Sequence, residues 1–67
     1  MTVRELLNRV EVQGNRVLIR AYSHEKEAQI AEVLAHGPYA EPFLDKEAKY
    51  IYPTGGDSIA IEVDADE

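Results

Sequence analysis

Sixty-seven residues carry thirteen acidic and seven basic side chains, a net charge of −6, and leave room for one domain whose core is modest, since a chain of about 60 residues buries only about 60% of its unfolded surface. Cysteine is absent, which excludes a disulfide framework, a thiolate zinc site and thiol catalysis. Direct nucleic-acid binding and attachment to an acidic membrane surface both need clustered Lys and Arg, and neither is expected of this composition.

Thr2 followed by Glu5 is a capping-box pattern that opens a helix. Val3, Leu6, Leu7 and Val10 then recur at spacings of three and four on one face, opposite Arg4, Glu5, Asn8 and Arg9. Two turns of helix are not stable alone in water, so the apolar stripe must dock, most simply on a sheet.

Gly14-Asn15 signals a turn before Arg16-Val17-Leu18-Ile19-Arg20-Ala21-Tyr22, a β-rich alternating run that reads as a central strand. Val17, Ile19 and Ala21 share one face. Leu18 and Tyr22 share the other with Arg16 and Arg20, whose aliphatic stems cover apolar neighbours while their charged heads stay wet.

Residues 24–36 support two readings. Ser23 can cap a helix carrying Ile30, Val33 and Leu34 and ended by Gly37-Pro38, or residues 23–26 can form a turn and residues 27–35 the second arm of a hairpin. Pro38 and Pro42 restrict the segment around them to a non-helical connection or a single turn.

The C-terminal third reads as a β-hairpin. Residues 48–52 and 58–63 form its strands, and Pro53-Thr54-Gly55-Gly56-Asp57 is a loop whose glycines accept positive φ. Ile59, Ile61 and Val63 alternate with Ser58, Ala60 and Glu62, as on a sheet covered on one side. Residues 1–63 form one domain on this reading, and Asp64-Ala65-Asp66-Glu67 is an acidic end expected to fray.

None of the residues suited to chemistry falls into a known catalytic or metal motif, so catalytic, cofactor-binding and metal sites are all expected to be absent. Histidine is the side chain type most suited to acid–base work at neutral pH, but His24 and His36 each lie at a turn or element end with no Ser or acid at a catalytic spacing, and twelve residues apart they match no helical ligand pair. Thr54-Gly55-Gly56-Asp57-Ser58 lacks the Lys-Ser/Thr pair of a phosphate loop and joins two strands. Asp57, Asp64, Asp66 and Glu67 do not match a calcium loop. The aromatic set of Tyr22, Tyr39, Tyr50, Tyr52 and Phe43 is better suited to contact than to catalysis. Tyrosine's apolar ring and polar tip are favoured at interfaces, which makes Tyr22, Tyr39, Tyr50 and Tyr52 the candidate partner-binding residues.

Thr2-Val3-Arg4-Glu5-Leu6-Leu7, Val12-Gln13-Gly14, Leu44-Asp45-Lys46-Glu47-Ala48-Lys49-Tyr50-Ile51-Tyr52 and Ile59-Ala60-Ile61-Glu62-Val63 together carry a resemblance. The chain resembles, nearly end to end, small uncharacterised proteins encoded within mobile elements, integrated phage and conjugative transposons, of Gram-positive gut bacteria. The shared motifs are structural and bring no functional residues with them. The resemblance implies a strand ending at a glycine over residues 27–37, where local propensity favours a helix. The strand is preferred, with the helix kept open, which gives an α+β fold: a short N-terminal helix packed on a three- to four-stranded, mostly antiparallel sheet.

Two functions remain. The first is a non-catalytic interaction module whose partner is another protein or a second copy of the chain, motivated by the small core, the sheet edge such a fold exposes and the available tyrosines. The second is an acidic inhibitor that mimics nucleic acid, motivated by charge distribution: residues 1–22 hold four arginines against two acids, and residues 23–67 hold three lysines against eleven acids. Apolar runs reach only three residues, as at Val17-Leu18-Ile19, far below the roughly 20 that span a bilayer. The start also lacks a signal peptide's apolar stretch, so a cytoplasmic protein is expected.

Overall fold

The computed structural model describes residues 1–9 and 16–66. Within them, helix α1 spans Val3–Arg9, strand β1 Arg16–Ser23, strand β2 Ala28–Leu34, the one-turn helix α2 Glu41–Leu44, strand β3 Tyr50–Gly55 and strand β4 Ser58–Asp64. The capping box forms at the start of α1: the Glu5 backbone N–H donates to Thr2 Oγ1 at 3.2 Å, and the Thr2 N–H donates to Glu5 Oε1 at 3.0 Å. Val10 and the Gly14-Asn15 turn lie outside the described residues.

The four strands form one sheet in the order β2-β1-β4-β3. The β1–β2 and β3–β4 pairs are antiparallel hairpins, while the central β1–β4 pair is parallel. Parallel neighbours need a crossover longer than a hairpin turn, and the connection over residues 35–49 is that crossover, carrying the chain from the β2 edge to the β3 edge. Along it Ala35 and Ala40 are buried, and Phe43, Leu44 and Ala48 pack against the core. Pro42 occupies the first turn of α2, where a missing N–H costs nothing.

Residues 24–36 are therefore a turn and a strand, not a second helix. β2 satisfies its backbone groups in register with β1, with one irregularity between Ala21 and Tyr22. The helical spacing of Ile30, Val33 and Leu34 is coincidental. Strand β3 also sits two to three residues later than the 48–52 that the sequence suggests, from Tyr50 through Pro53 to Gly55. Because β3 is an edge strand, the proline forfeits no ladder bond to an outer neighbour. The hairpin tightens to a short turn with Gly55 at φ +107° and Gly56 at φ +57°.

The core lies on one face of the sheet. Val17, Ile19 and Ala21 of β1 and Ile61 and Val63 of β4 are buried there with Val3 of α1, and Leu6 and Leu7 pack against them. Helix α1 is seated on the crossover as well, since Val3 N–H donates to the Lys46 carbonyl at 3.0 Å and Ala48 N–H to the Met1 carbonyl at 2.9 Å. Arg4 then reaches α2, with Nη2 3.1 Å from Glu41 and Nε 3.1 Å from Asp45.

Residues 64–66, read from the sequence as part of a fraying end, make hydrogen bonds to the sheet and the β1–β2 turn. Asp64 is the last residue of β4. Ala65 N–H donates to the Tyr22 carbonyl at 2.8 Å, and Asp66 accepts hydrogen bonds from Ser23 and Glu25 at the β1–β2 turn. Glu67 lies outside the described residues.

Candidate functional site

Strand alternation sends the residues between the core positions to the opposite face, and cross-strand register assembles them into rows. Leu34, Leu18, Ala60 and Tyr52 form one row, and Glu32, Arg20, Glu62 and Tyr50 the next. Tyr22 and Asp64 form a shorter third. Helices α1 and α2 pack on the core side, so no described helix covers these rows.

The face is mixed in chemistry and half wet. Ala60 is fully buried although it points away from the helices; its row neighbours Leu18 and Tyr52 are large enough to close over it. Leu34 and Tyr50 remain open, at 50% and 65% exposure. Between the rows Arg20 is held from two sides: its Nε donates to Glu32 at 2.8 Å and an Nη to the Tyr52 hydroxyl at 3.4 Å, with the guanidinium 5.7 Å from the Tyr52 ring centroid. The bond to Tyr52 first, and then that to Glu32, raises the Arg20 pKa above its ordinary value against the opposing effect of desolvation.

At the end of the face near the β1–β2 turn lies a recess of about 210 Å³, lined by Tyr22, His24, Lys49, Tyr50, Glu62 and Asp64 among others. The His24 ring stands edge-on to Tyr22, with centroids 5.1 Å apart at 74°, and its Nε2 is 3.8 Å from Asp64 Oδ2. Asp64 Oδ1 accepts from the Asp66 N–H at 2.9 Å. This recess is smaller than the 300 Å³ or so at which small-molecule sites begin, and His24 is largely solvent-exposed.

Of the candidate tyrosines, Tyr22, Tyr50 and Tyr52 come together on this face. Tyr39 does not: it sits in the β2–α2 crossover at 76% exposure. Sequence reasoning passed over Leu34, Glu32, Glu62 and Asp64, whose place on the face depends on pairing partners. Leu18 was legible by alternation alone. His36 is exposed in the turn after β2 and does not line the recess, and in Thr54-Gly55-Gly56-Asp57-Ser58 the pair Gly56-Asp57 is the hairpin turn between β3 and β4. Among the described residues, no group of three or more His, Asp or Glu is placed to hold a metal ion. No described helix is long and apolar enough to cross a membrane.

The charge asymmetry of the sequence is partly cancelled in space. Arg4 meets Glu41 and Asp45, and Arg20 meets Glu32, so arginines from the basic first third neutralise acids from the rest.

No family model, curated protein or solved structure matches the chain.

Proposed function

We propose that the chain is a non-catalytic interaction module that docks a protein partner on the open face of its sheet. The observation that carries this reading is the clustering of Tyr22, Tyr50 and Tyr52 with Leu18 and Leu34 on the face away from the helices. Aromatic and aliphatic side chains at half exposure, interleaved with a fixed arginine, are the composition of an interface core. A 67-residue chain spends most of its apolar residues on its own core, so the surplus on a second face needs a reason, and contact supplies one. The resemblance carried by the segments around Thr2, Leu44 and Ile59 favours an accessory role for a mobile element, acting in the cytoplasm. The nucleic-acid mimic is the weaker reading, because Glu32, Glu41 and Asp45 are already matched by arginines.

Photo-crosslinking tests the docking face directly. A benzophenone amino acid replaces Tyr50, Leu34 or, as a control, the exposed α1 residue Asn8, in lysate of a Gram-positive gut bacterium. Discrete adducts from positions 50 and 34 and none from position 8 support the reading, and their mass separates a foreign partner from a second copy of the chain. Adducts of equal strength from all three positions, or none from 50 and 34, overturn it.

A further inference from the structure

We propose that the recess beside the β1–β2 turn is a receptor for an arginine side chain of the docking partner, an inference that rests on the interaction-face reading and names the chemistry it recognises. The recess has aromatic walls, Tyr22 and Tyr50, and two carboxylates, Glu62 and Asp64. An aromatic face and a carboxylate are the two groups that hold a guanidinium, one through the ring quadrupole and the other through charge-assisted hydrogen bonds.

The same sheet face already contains a working example of that recognition. Arg20 lies over Tyr52 at 5.7 Å and is bonded to Glu32 at 2.8 Å. Tyr50 stands two residues before Tyr52 on β3, directly across from Glu62, and Tyr22 stands across from Asp64. The recess therefore offers the same two kinds of group that hold Arg20, tyrosine and carboxylate, here as cross-strand neighbours, and no arginine of the described chain lines it. About 210 Å³ is room for a guanidinium and part of its stem, and too little for a drug-sized ligand.

The other charged groups at the recess are Lys49 and His24. Among the Asp, Glu and Lys side chains of the recess, two carboxylates against one ammonium leave a formal charge of −1, of the same sign as the −6 of the whole chain. Both draw a cation inward. An arginine suits the site better than a lysine, because its flat guanidinium stacks on a ring while its edge donates to a carboxylate, and its weaker hydration lowers the cost of entry.

The test titrates acetyl-arginine N-methylamide into the ¹⁵N-labelled protein, with the citrulline compound as a neutral isostere. Saturating amide shifts at Tyr22, His24, Tyr50, Glu62 and Asp64 with arginine, and not with citrulline, are expected at millimolar concentration. Glu62→Gln and Tyr50→Ala should each weaken the arginine titration by about two- to fivefold, as for a partly exposed cation–π or ion-pair contact. Equal shifts with citrulline, shifts centred elsewhere, or none at tens of millimolar overturn the proposal. The wild-type comparison of the two compounds stands even if a variant fails to fold. Failure here with crosslinking retained at positions 50 and 34 removes the arginine receptor alone, whereas arginine binding without crosslinks supports the receptor and removes the docking-face reading.

Discussion

Ser23 and Asp66 are joined side chain to side chain, the Ser23 hydroxyl donating to Asp66 Oδ1 at 2.9 Å. The same hydroxyl accepts from the Lys26 N–H at 3.1 Å, and Asp66 Oδ2 accepts from the Glu25 N–H at 3.0 Å. One buried serine and one C-terminal aspartate thus satisfy the β1–β2 turn and fasten the chain end beneath it. Because Ser23 is only 2% exposed, Ser23→Ala leaves turn amide and carboxylate short of a partner with little water to replace it. A loss of about 1–2 kcal/mol is expected in urea unfolding.

Asp66 also predicts a pH dependence. The Glu25 N–H, and after it the Ser23 hydroxyl, hold its carboxyl below the ordinary aspartate value. A depressed folded-state pKa contributes stability that is present above the unfolded value and is lost as pH falls through the folded one. Glu5, lowered chiefly by its bonds with Thr2, acts in the same direction. Unfolding midpoints should therefore fall on acidification below about pH 4, and Asp66→Asn should flatten part of that slope. An unchanged acid limb in the variant would show that Asp66 does not carry it.

The capping box is testable at Thr2. Thr2→Ala removes the acceptor for the Glu5 N–H and should cost about 1 kcal/mol, read as a lower thermal midpoint. Thr2→Ser keeps the oxygen and should restore most of the loss.

Core and open face should respond differently to truncation. Ile61 is 1% exposed and pairs with Ile19 in the parallel ladder, so Ile61→Ala should cost about 2–5 kcal/mol, enough to abolish cooperative unfolding in a domain of this size. Tyr50→Ala, on the open face, should change stability by less than about 0.5 kcal/mol while weakening crosslinking and arginine binding.

Two turns make opposite predictions for glycine. Glu27 holds φ +54°, a left-handed conformation that costs a residue with a Cβ roughly 1–2 kcal/mol; Glu27→Gly should stabilise, net of glycine's entropy, by up to about 1 kcal/mol. Gly56 holds φ +57° with nothing within 4 Å of an added Cβ, so Gly56→Ala should destabilise by about 1–2 kcal/mol through backbone strain alone. Chemical denaturation of both variants reads the two signs.

Local signals were reliable where the competing states differ in local energy. Thr2 and Glu5 can satisfy each other only at a helix start, and Val17, Ile19 and Ala21 alternate with a period that only a strand places on one side. For residues 24–36 local energy favoured a helix and the outcome was a strand, because β1 had an open edge and pairing there satisfied a full ladder of backbone groups. The Asp66 anchor was invisible for a related reason. An aspartate at a chain end looks solvated until Ser23 and Glu25, more than forty residues away, turn toward it.

By itself the sequence determined the class: a small acidic α+β fold with a capped amphipathic helix, a central strand and a glycine-turned hairpin, all set by short-range sterics and hydrophobic period. Only the tertiary structure decided that β1 and β4 lie parallel at the centre of the sheet, because that pairing depends on where the crossover over residues 35–49 delivers the chain. That pairing placed Tyr22 beside Asp64, and the β3–β4 hairpin placed Tyr50 beside Glu62. Separated by up to forty-two residues, those groups become a site only through register, which no local pattern encodes.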